Sequence, residues 1–438
     1  MGACARSCKH LTADAEGVDI TADQRRIAFS PPDIGQDELD EVAQALTSGW
    51  ITTGPKTKEF ERKLAAFTGA ERAACFSSAT AALECALRLL SIGPGDEVIT
   101  SAYTYTASAS PICHIGATPV LCDTAPGSYE MDYDALPGLI TERTRAVIPV
   151  DIAGRLCDYD RLFAALGDAR VRARFAPANE RQDALGRIAV VADGAHSLGA
   201  VRGGAASGTI ADFTTFSFHA VKNLTTAEGG ALAWQRGLGL DADELYRDLM
   251  LMSLHGQTKD ALSKTRAGAW EYDVAFPGWK CNMTDIQAAL GLAQLRRYPE
   301  LLARRRELVE LYEEGLAGTG AEVLQHYGDG RGEGEAAFAS SGHLMLVRLP
   351  ERSEGFRNAL IERLAEAGIA ANVHYKPLPM LTAYRNLGFD IADFPNARAQ
   401  FACEVTLPLH TLLSDDDVAY VCDVFRSACA ALEAEGAR

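Results

Sequence analysis

No stretch of this 438-residue chain is dense enough in lysine and arginine to neutralise a phosphate backbone. Its 42 basic residues are outnumbered by 59 acidic ones, leaving a net charge of −17. A nucleic-acid partner is thereby excluded, because such partners demand clustered cations; any phosphate is held locally. No segment approaches the roughly 20 apolar residues that a membrane-spanning helix needs. Neither G-x-x-x-x-G-K nor G-x-G-x-x-G after a strand occurs, which removes the nucleoside-triphosphate loop and the dinucleotide fingerprint. The 11 cysteines are odd in number and scattered through apolar stretches, so no disulfide framework is implied and reduced thiols in a cytoplasmic protein are expected. Cys4, Cys8 and His10 lack the spacing of a metal cluster, and no metal is expected. Residues 1–26 hold no apolar run of signal-peptide length and read as a flexible tail.

What is present is an ordinary globular composition, 47% hydrophobic and 23% charged, at a length that suits two domains with sizeable cores. From Ile27 onward, short apolar runs alternate with helix-like stretches. Glu97 to Thr100, Thr118 to Asp123, Ala146 to Val150 and Ile188 to Ala192 read as strands buried on both faces. The alternation predicts an α/β fold built on a mostly parallel sheet. Asp37 to Thr47, Ala81 to Leu90 and Thr284 to Leu295 read as helices, and Pro299 to Leu316 as a long helix bridging into a second unit. The chain thus divides into the tail, a large α/β domain at 27–298 and a smaller C-terminal α+β domain at 299–438. A charged stretch at about 164–187 reads as a surface insertion. In the smaller domain, His343 to Leu349 reads as a strand and Ser353 to Ala367 as an amphipathic helix.

Lys222 lies in Phe216-Ser-Phe-His-Ala-Val-Lys-Asn223, a polar break between two β-like runs, with Glu228-Gly-Gly230 beyond it. A lysine set among aromatic neighbours can be desolvated, lose its proton and form an imine. An ordinary loop lysine would fit the segment too. Asp193 ends an apolar run, so its carboxylate should emerge at the carboxyl end of a parallel strand, where ligands of open α/β sheets bind; the alternative is a cap on the following turn. Ser78-Ala-Thr80 opens a helix and offers backbone N–H groups, a helix dipole and two hydroxyls to an anion, or simply caps that helix. A phosphate cradle, a strand-end Asp and a loop Lys, in that order, are the parts a pyridoxal-phosphate enzyme requires.

Together with Gly49-Trp-Ile-Thr-Thr-Gly-Pro55, Tyr103-Thr-Tyr-Thr-Ala107, Ala192-Asp-Gly-Ala-His-Ser197 and Lys280-Cys-Asn-Met-Thr-Asp-Ile-Gln-Ala-Ala-Leu290, these segments resemble the DegT/DnrJ/StrS-type sugar aminotransferases from about Ile27 to the C-terminus. The resemblance implies a fold-type I transferase that uses pyridoxal 5'-phosphate, as a homodimer with shared active sites. It implies Lys222 as the catalytic residue, carrying the cofactor as a Schiff base and moving the proton between substrate and cofactor. Asp193 would meet the pyridine nitrogen, His196 the ring hydroxyl and Tyr105 the ring face. Ser78, Ala79, Thr80 and Ser217 would hold the phosphate, and Asn282 would reach the phosphate of the neighbouring subunit. Trp50, Thr53, His219, His374 and Tyr375 are candidates for substrate contact. Trp50 and Thr53 could instead fix a turn, His219 could pack beside the lysine, and His374 could be a packed histidine on a strand. The substrates implied are an amino-acid donor, L-glutamate, and a nucleotide-linked 4-keto-6-deoxyhexose, aminated at C4 rather than C3 in surface-polysaccharide or glycoconjugate biosynthesis. A cyclitol or aminoshikimate-type ketone is the alternative acceptor. A catalytically silent regulator keeping the fold is the alternative of another class, opposed by the retention of Lys222 with Asp193.

Overall fold

The computed structural model describes residues 25–258, 271–331 and 336–436. The tail expected at 1–26, apart from Arg25 and Arg26, lies outside these residues, as do Cys4, Cys8 and His10. Strands β1 (Arg72–Phe76), β2 (Glu97–Ser101), β3 (Thr118–Cys122), β4 (Thr144–Ile148), β5 (Ala189–Asp193), β6 (Phe213–Ser217) and β7 (Gly230–Trp234) form one sheet in the order β1-β7-β6-β5-β4-β2-β3. The run from β3 to β6 is parallel, whereas β7 pairs antiparallel with both β6 and β1. Strands β2, β5 and β7 are buried along their whole length, as apolar strands covered on both faces must be.

Helices α1 (Gln36–Thr47) and α2 (Pro55–Thr68) precede the sheet, and α3 (Ala79–Leu89) follows β1. The Ala/Leu sequence of α3 favours helix and keeps its inner face narrow. Ala82, Leu83, Ala86 and Leu87 therefore pack directly on Phe76, Val191 and Phe213 of the sheet. The stretch expected as an insertion folds into helices Ala169–Arg174 and Glu180–Leu185. It docks on the end of α3, where Arg181 Nη1 donates to the Leu89 carbonyl and Gln182 Nε2 to the Leu90 carbonyl, both at 2.9 Å. Such carbonyls have no partner inside their own helix.

Two helices expected on either side of Pro299 are one, α4 (Asp285–Leu316), capped by Thr284 with Gln287 reaching back to the Thr284 N–H. A proline inside a helix costs about 3 kcal/mol or more, but Leu292, Leu295, Tyr298 and Leu301 bury around it, each large side chain contributing about 1.5–3 kcal/mol. Burial outweighs the local preference, and the division at 298/299 runs through a helix.

Beyond α4, strands β8 (Glu322–Val323), β9 (Met345–Arg348) and β10 (Glu404–Leu407) make an antiparallel sheet. Helices α5 (Glu354–Glu366) and α6 (Asp415–Ala434) cover it, with Met345, Val347, Leu360, Val405 and Phe425 sharing a core with Leu308 and Tyr312 of α4. Strand β9 begins two positions later than His343, so His343 and Leu344 are not tied into the ladder. Residues 373–375 are not a strand; only Asn372 bridges to Thr406.

Candidate active site

A cavity of about 350 Å³ opens at the carboxyl ends of β4, β5 and β6, where Val150, Asp193 and Ser217 line it. The first turn of α3 forms one side and His343, Leu344, His374 and Tyr375 of the smaller unit form another. Of the residues singled out in the sequence, Lys222, Asp193, Ser78, Ala79, Thr80, Tyr105, His196, Ser217, His219, His374 and Tyr375 all line this one cavity.

Asp193 is the last residue of β5 and is buried. Its Oδ2 accepts a 2.6 Å hydrogen bond from Ser108 Oγ, and its Oδ1 accepts the Ala195 N–H at 3.1 Å. The second bond is the local turn contact a capping aspartate makes; the first comes from a distant segment. Lys222 sits in the turn after β6, its N–H donating to the His219 carbonyl at 2.9 Å. Burial pushes its amine down to about 8, against the pull of the Asp193 charge. Near neutral pH a useful fraction of this amine is unprotonated, the state in which nitrogen attacks a carbonyl.

At the start of α3, Ser78 Oγ accepts the Ala81 N–H at 3.0 Å, so this hydroxyl is the helix cap. The cradle has no room to spare behind it. A Cβ placed on Gly230 would stand 2.2 Å from the Ala79 nitrogen and 2.3 Å from the Ser78 carbonyl carbon. Glycine at 230 is what lets β7 lie against the first turn, with Gly229 left to line the cavity.

His196 Nδ1 accepts the Ala153 N–H at 3.2 Å. A backbone N–H can only donate, so the ring proton of neutral His196 is on Nε2, which faces Tyr375 Oη at 3.1 Å. Burial, then the charge of Lys222, holds the imidazole well below its usual range. Tyr105 is 58% exposed at the cavity mouth, its ring 5.8 Å from that of Tyr375. His219 is exposed, with Nε2 3.7 Å from Glu228.

Three expected residues lie outside the cavity and bond to one another's segments. Asn282 Nδ2 donates to Thr53 Oγ1 and Thr53 Oγ1 to the Met283 carbonyl, both at 2.5 Å, while Trp50 Nε1 donates to the Thr53 carbonyl at 3.2 Å. Within one chain, Trp50 and Thr53 fix a turn. Conversely, Phe29, Ser30, Ser108 and His343 are site residues the sequence reading missed. Ser30 Oγ donates to the Val221 carbonyl at 3.0 Å, and Phe29 stacks on His374 with ring centres 5.5 Å apart. The only advance signal was position: Phe29 and Ser30 directly precede Pro31-Pro32, and Ser108 follows Tyr105 by one turn. Residues that could cluster around a metal ion are absent among the described residues, and no described helix is long and apolar enough to cross a membrane.

The model of the DegT/DnrJ/EryC1/StrS aminotransferase family matches residues 32–171 and 180–426. Spore coat polysaccharide biosynthesis protein SpsC of Bacillus subtilis (strain 168) is 37% identical over 404 residues, covering 91% of this chain and 96% of SpsC. Among solved structures, Spr1654 from Streptococcus pneumoniae, described as a sugar aminotransferase and solved in its PMP form, superposes with a TM-score of 0.89. It is 52% identical, over 93% of this chain and all of that one. A PLP form of the same protein gives a TM-score of 0.88 at 51% identity, with 93% of this chain and 100% of that one covered. Helicobacter pylori PseC, an aminotransferase involved in the biosynthesis of pseudoaminic acid, gives 0.80 at 27% identity, over 93% of this chain and 100% of that one.

Proposed function

Because the chain belongs to the DegT/DnrJ/EryC1/StrS aminotransferase family and is a pyridoxal-phosphate-dependent sugar aminotransferase, we propose that it moves an amino group from L-glutamate to C4 of a nucleotide-linked 4-keto-6-deoxyhexose. The product would enter surface-polysaccharide or glycoconjugate synthesis, a role that the name of SpsC supports. One observation carries the reading. A lysine whose amine is pushed down to about 8 shares a cavity with a strand-end aspartate and a helix N-terminus.

The donor set fits the cofactor. Backbone N–H groups of the first turn of α3, with the hydroxyls of Thr80 and Ser217, suit a phosphate. The Asp193 carboxylate, held by Ser108 and Ala195, suits a protonated pyridine nitrogen. Tyr105 and His196 would flank the ring and its hydroxyl. When bound, pyridoxal phosphate supplies an electron sink for charge developing at the substrate carbon.

The chain's own work is positioning and proton transfer. Lys222 Nζ takes the proton from the donor's carbon and returns one to the sugar carbon, which its lowered basicity allows at neutral pH. His196 cannot share that task as an imidazolium, since Nδ1 is engaged by Ala153 and burial keeps the ring neutral. It can only present the Nε2 proton. Leu83, Val150 and Phe29 exclude water from the cavity's walls. Asn282, outside its own cavity, would serve the phosphate in a second copy of the chain, making the working unit a homodimer; a cytoplasmic location fits a chain with scattered free thiols.

The test is purified protein with L-glutamate and 4-keto-6-deoxyhexoses linked to UDP, dTDP or GDP, read by mass spectrometry. An aminated sugar with stoichiometric 2-oxoglutarate is the expected product. Turnover of a cyclitol ketone alone would replace the sugar reading.

A further inference from the structure

Behind the cavity wall at His374 runs a chain of buried polar groups that the reading above does not use. His374 Nδ1 lies 2.9 Å from Thr406 Oγ1, which in turn lies 2.5 Å from Glu404 Oε1. The other carboxyl oxygen, Oε2, accepts the His374 backbone N–H at 2.9 Å. Glu404 therefore grips His374 by its main chain directly and by its ring through Thr406. Both residues stand on β10 with no exposed surface. The Tyr103 hydroxyl adds a 2.8 Å bond to the His374 carbonyl, and Phe29 stacks on the ring. With Nδ1 engaged, Nε2 is the edge left to the cavity that His374 lines.

A hydroxyl has one proton, so the chain has a direction. Ionised Glu404 can only accept: the Thr406 proton points at it, Thr406 oxygen accepts from Nδ1–H, and Nε2 is a bare acceptor. Protonated Glu404 donates to Thr406, Thr406 donates to Nδ1, and the ring proton sits on Nε2. We propose that Glu404 and Thr406 are positioning residues that decide whether His374 Nε2 accepts or donates a hydrogen bond toward the substrate, and that they carry a proton away from it. A proton taken up at Nε2 displaces the Nδ1 proton onto Thr406, whose own proton passes to Glu404. One proton gained at Nε2 equals one stored on Glu404, and the ring never holds two. The substrate group this suits is a hydroxyl or amine that gives up and recovers a proton during the reaction. The proposal rests on the cavity being the substrate site, but its test contains no sugar.

The surroundings agree with that division of labour. Burial pushes the Glu404 carboxyl up to about 8, against the Thr406 hydroxyl, the His374 N–H and the Arg357 guanidinium. Arg357 on α5 binds the Glu404 backbone carbonyl at 3.0 Å and not the carboxylate. The other ionisable groups whose charge meets that of Glu404 are the phenols of Tyr103, Tyr129 and Tyr375, all raised chiefly by burial; Tyr103 and Tyr129 are buried, and Tyr375 lines the cavity. Burial, then Lys222, drives the His374 imidazole down to about 3, so the ring passes a proton on and does not keep it.

The test reads the ring itself. Full-length protein carrying ¹⁵N-histidine, with His374→Gln for assignment, is followed by two-bond proton–nitrogen correlation NMR from about pH 6 to about pH 10. The expected result is one switch, from Nε2–H at the acid end to Nδ1–H at the alkaline end. In Glu404→Gln the amide oxygen accepts the His374 N–H and its nitrogen can only donate to Thr406, so Nε2–H persists at every pH. Thr406→Val removes the hydroxyl and abolishes the switch; Thr406→Ser restores it. A wild-type His374 holding one tautomer throughout, or switching unchanged in Thr406→Val, overturns the proposal. Should Glu404→Gln not fold, the valine and serine variants decide. Failure to aminate any sugar would bear on the function and leave the ring's tautomer switch standing.

Discussion

Ser108 donates a 2.6 Å hydrogen bond to Asp193 Oδ2 across 85 positions of sequence, joining the turn after β2 to the end of β5. With Ala195 N–H on the other oxygen, this aims the carboxylate into the cavity. Ser108→Ala should still fold, because alanine fits the space of this buried serine and only its hydroxyl, shared between Asp193 and Thr104, is lost. Pyridoxal phosphate should bind it more weakly by about 1.5–3 kcal/mol, the worth of a hydrogen bond to a charged acceptor. A titration of cofactor-free protein should show a dissociation constant raised roughly tenfold to a hundredfold. Unchanged affinity would reduce Ser108 to packing.

The Lys222 amine must be neutral to attack a carbonyl, so cofactor loading should speed up as pH rises through about 8 and then level off. Burial lowers this amine and the Asp193 charge raises it. Asp193→Asn removes the raising influence, and the midpoint should move to lower pH. Stopped-flow absorbance after mixing with pyridoxal phosphate measures both midpoints. A midpoint near that of an exposed lysine would contradict the desolvated site, and an upward shift in Asp193→Asn would contradict the charge coupling.

Gly230→Ala should damage the cradle, since its Cβ would meet the Ala79 nitrogen at 2.2 Å with backbone on both sides. Overpacking of this kind costs about 1–3 kcal/mol. Gly138→Ala, where a Cβ meets nothing within 4 Å, is the control. Thermal melts should show a loss in the first and none in the second, and phosphate should protect wild type but not Gly230→Ala. Equal melting temperatures would mean the sheet and α3 can part without consequence.

What the sequence made legible was local. Asp193 was readable because five apolar residues before it set both its strand and the end it emerges from. Ser78 was readable because an Ala/Leu helix follows it. Ser108, Phe29 and His343 were not, because each enters the site through contacts far along the chain that no periodicity encodes. Pro299 misled for the opposite reason: its local preference is strong, but the apolar residues packed around α4 override it. His343 looked like strand, and the ladder starts just past it.

Asn282 and Lys222 should complement each other in trans. Neither Lys222→Ala nor Asn282→Ala should turn over well alone, and the second also loses the bond to Thr53. Re-associated mixtures should regain up to about a quarter of wild-type activity, the share of sites built from two undamaged contributions if hybrids form at random. No recovery where native mass spectrometry shows hybrids would place Asn282 in a purely intrachain role.

The claim on which the rest depends is that Lys222 carries the cofactor. Borohydride reduction of the loaded protein, proteolysis and mass spectrometry should find pyridoxyl phosphate on the peptide containing Lys222, with Lys222→Ala unlabelled. Label on any other lysine of the wild-type protein would contradict the account.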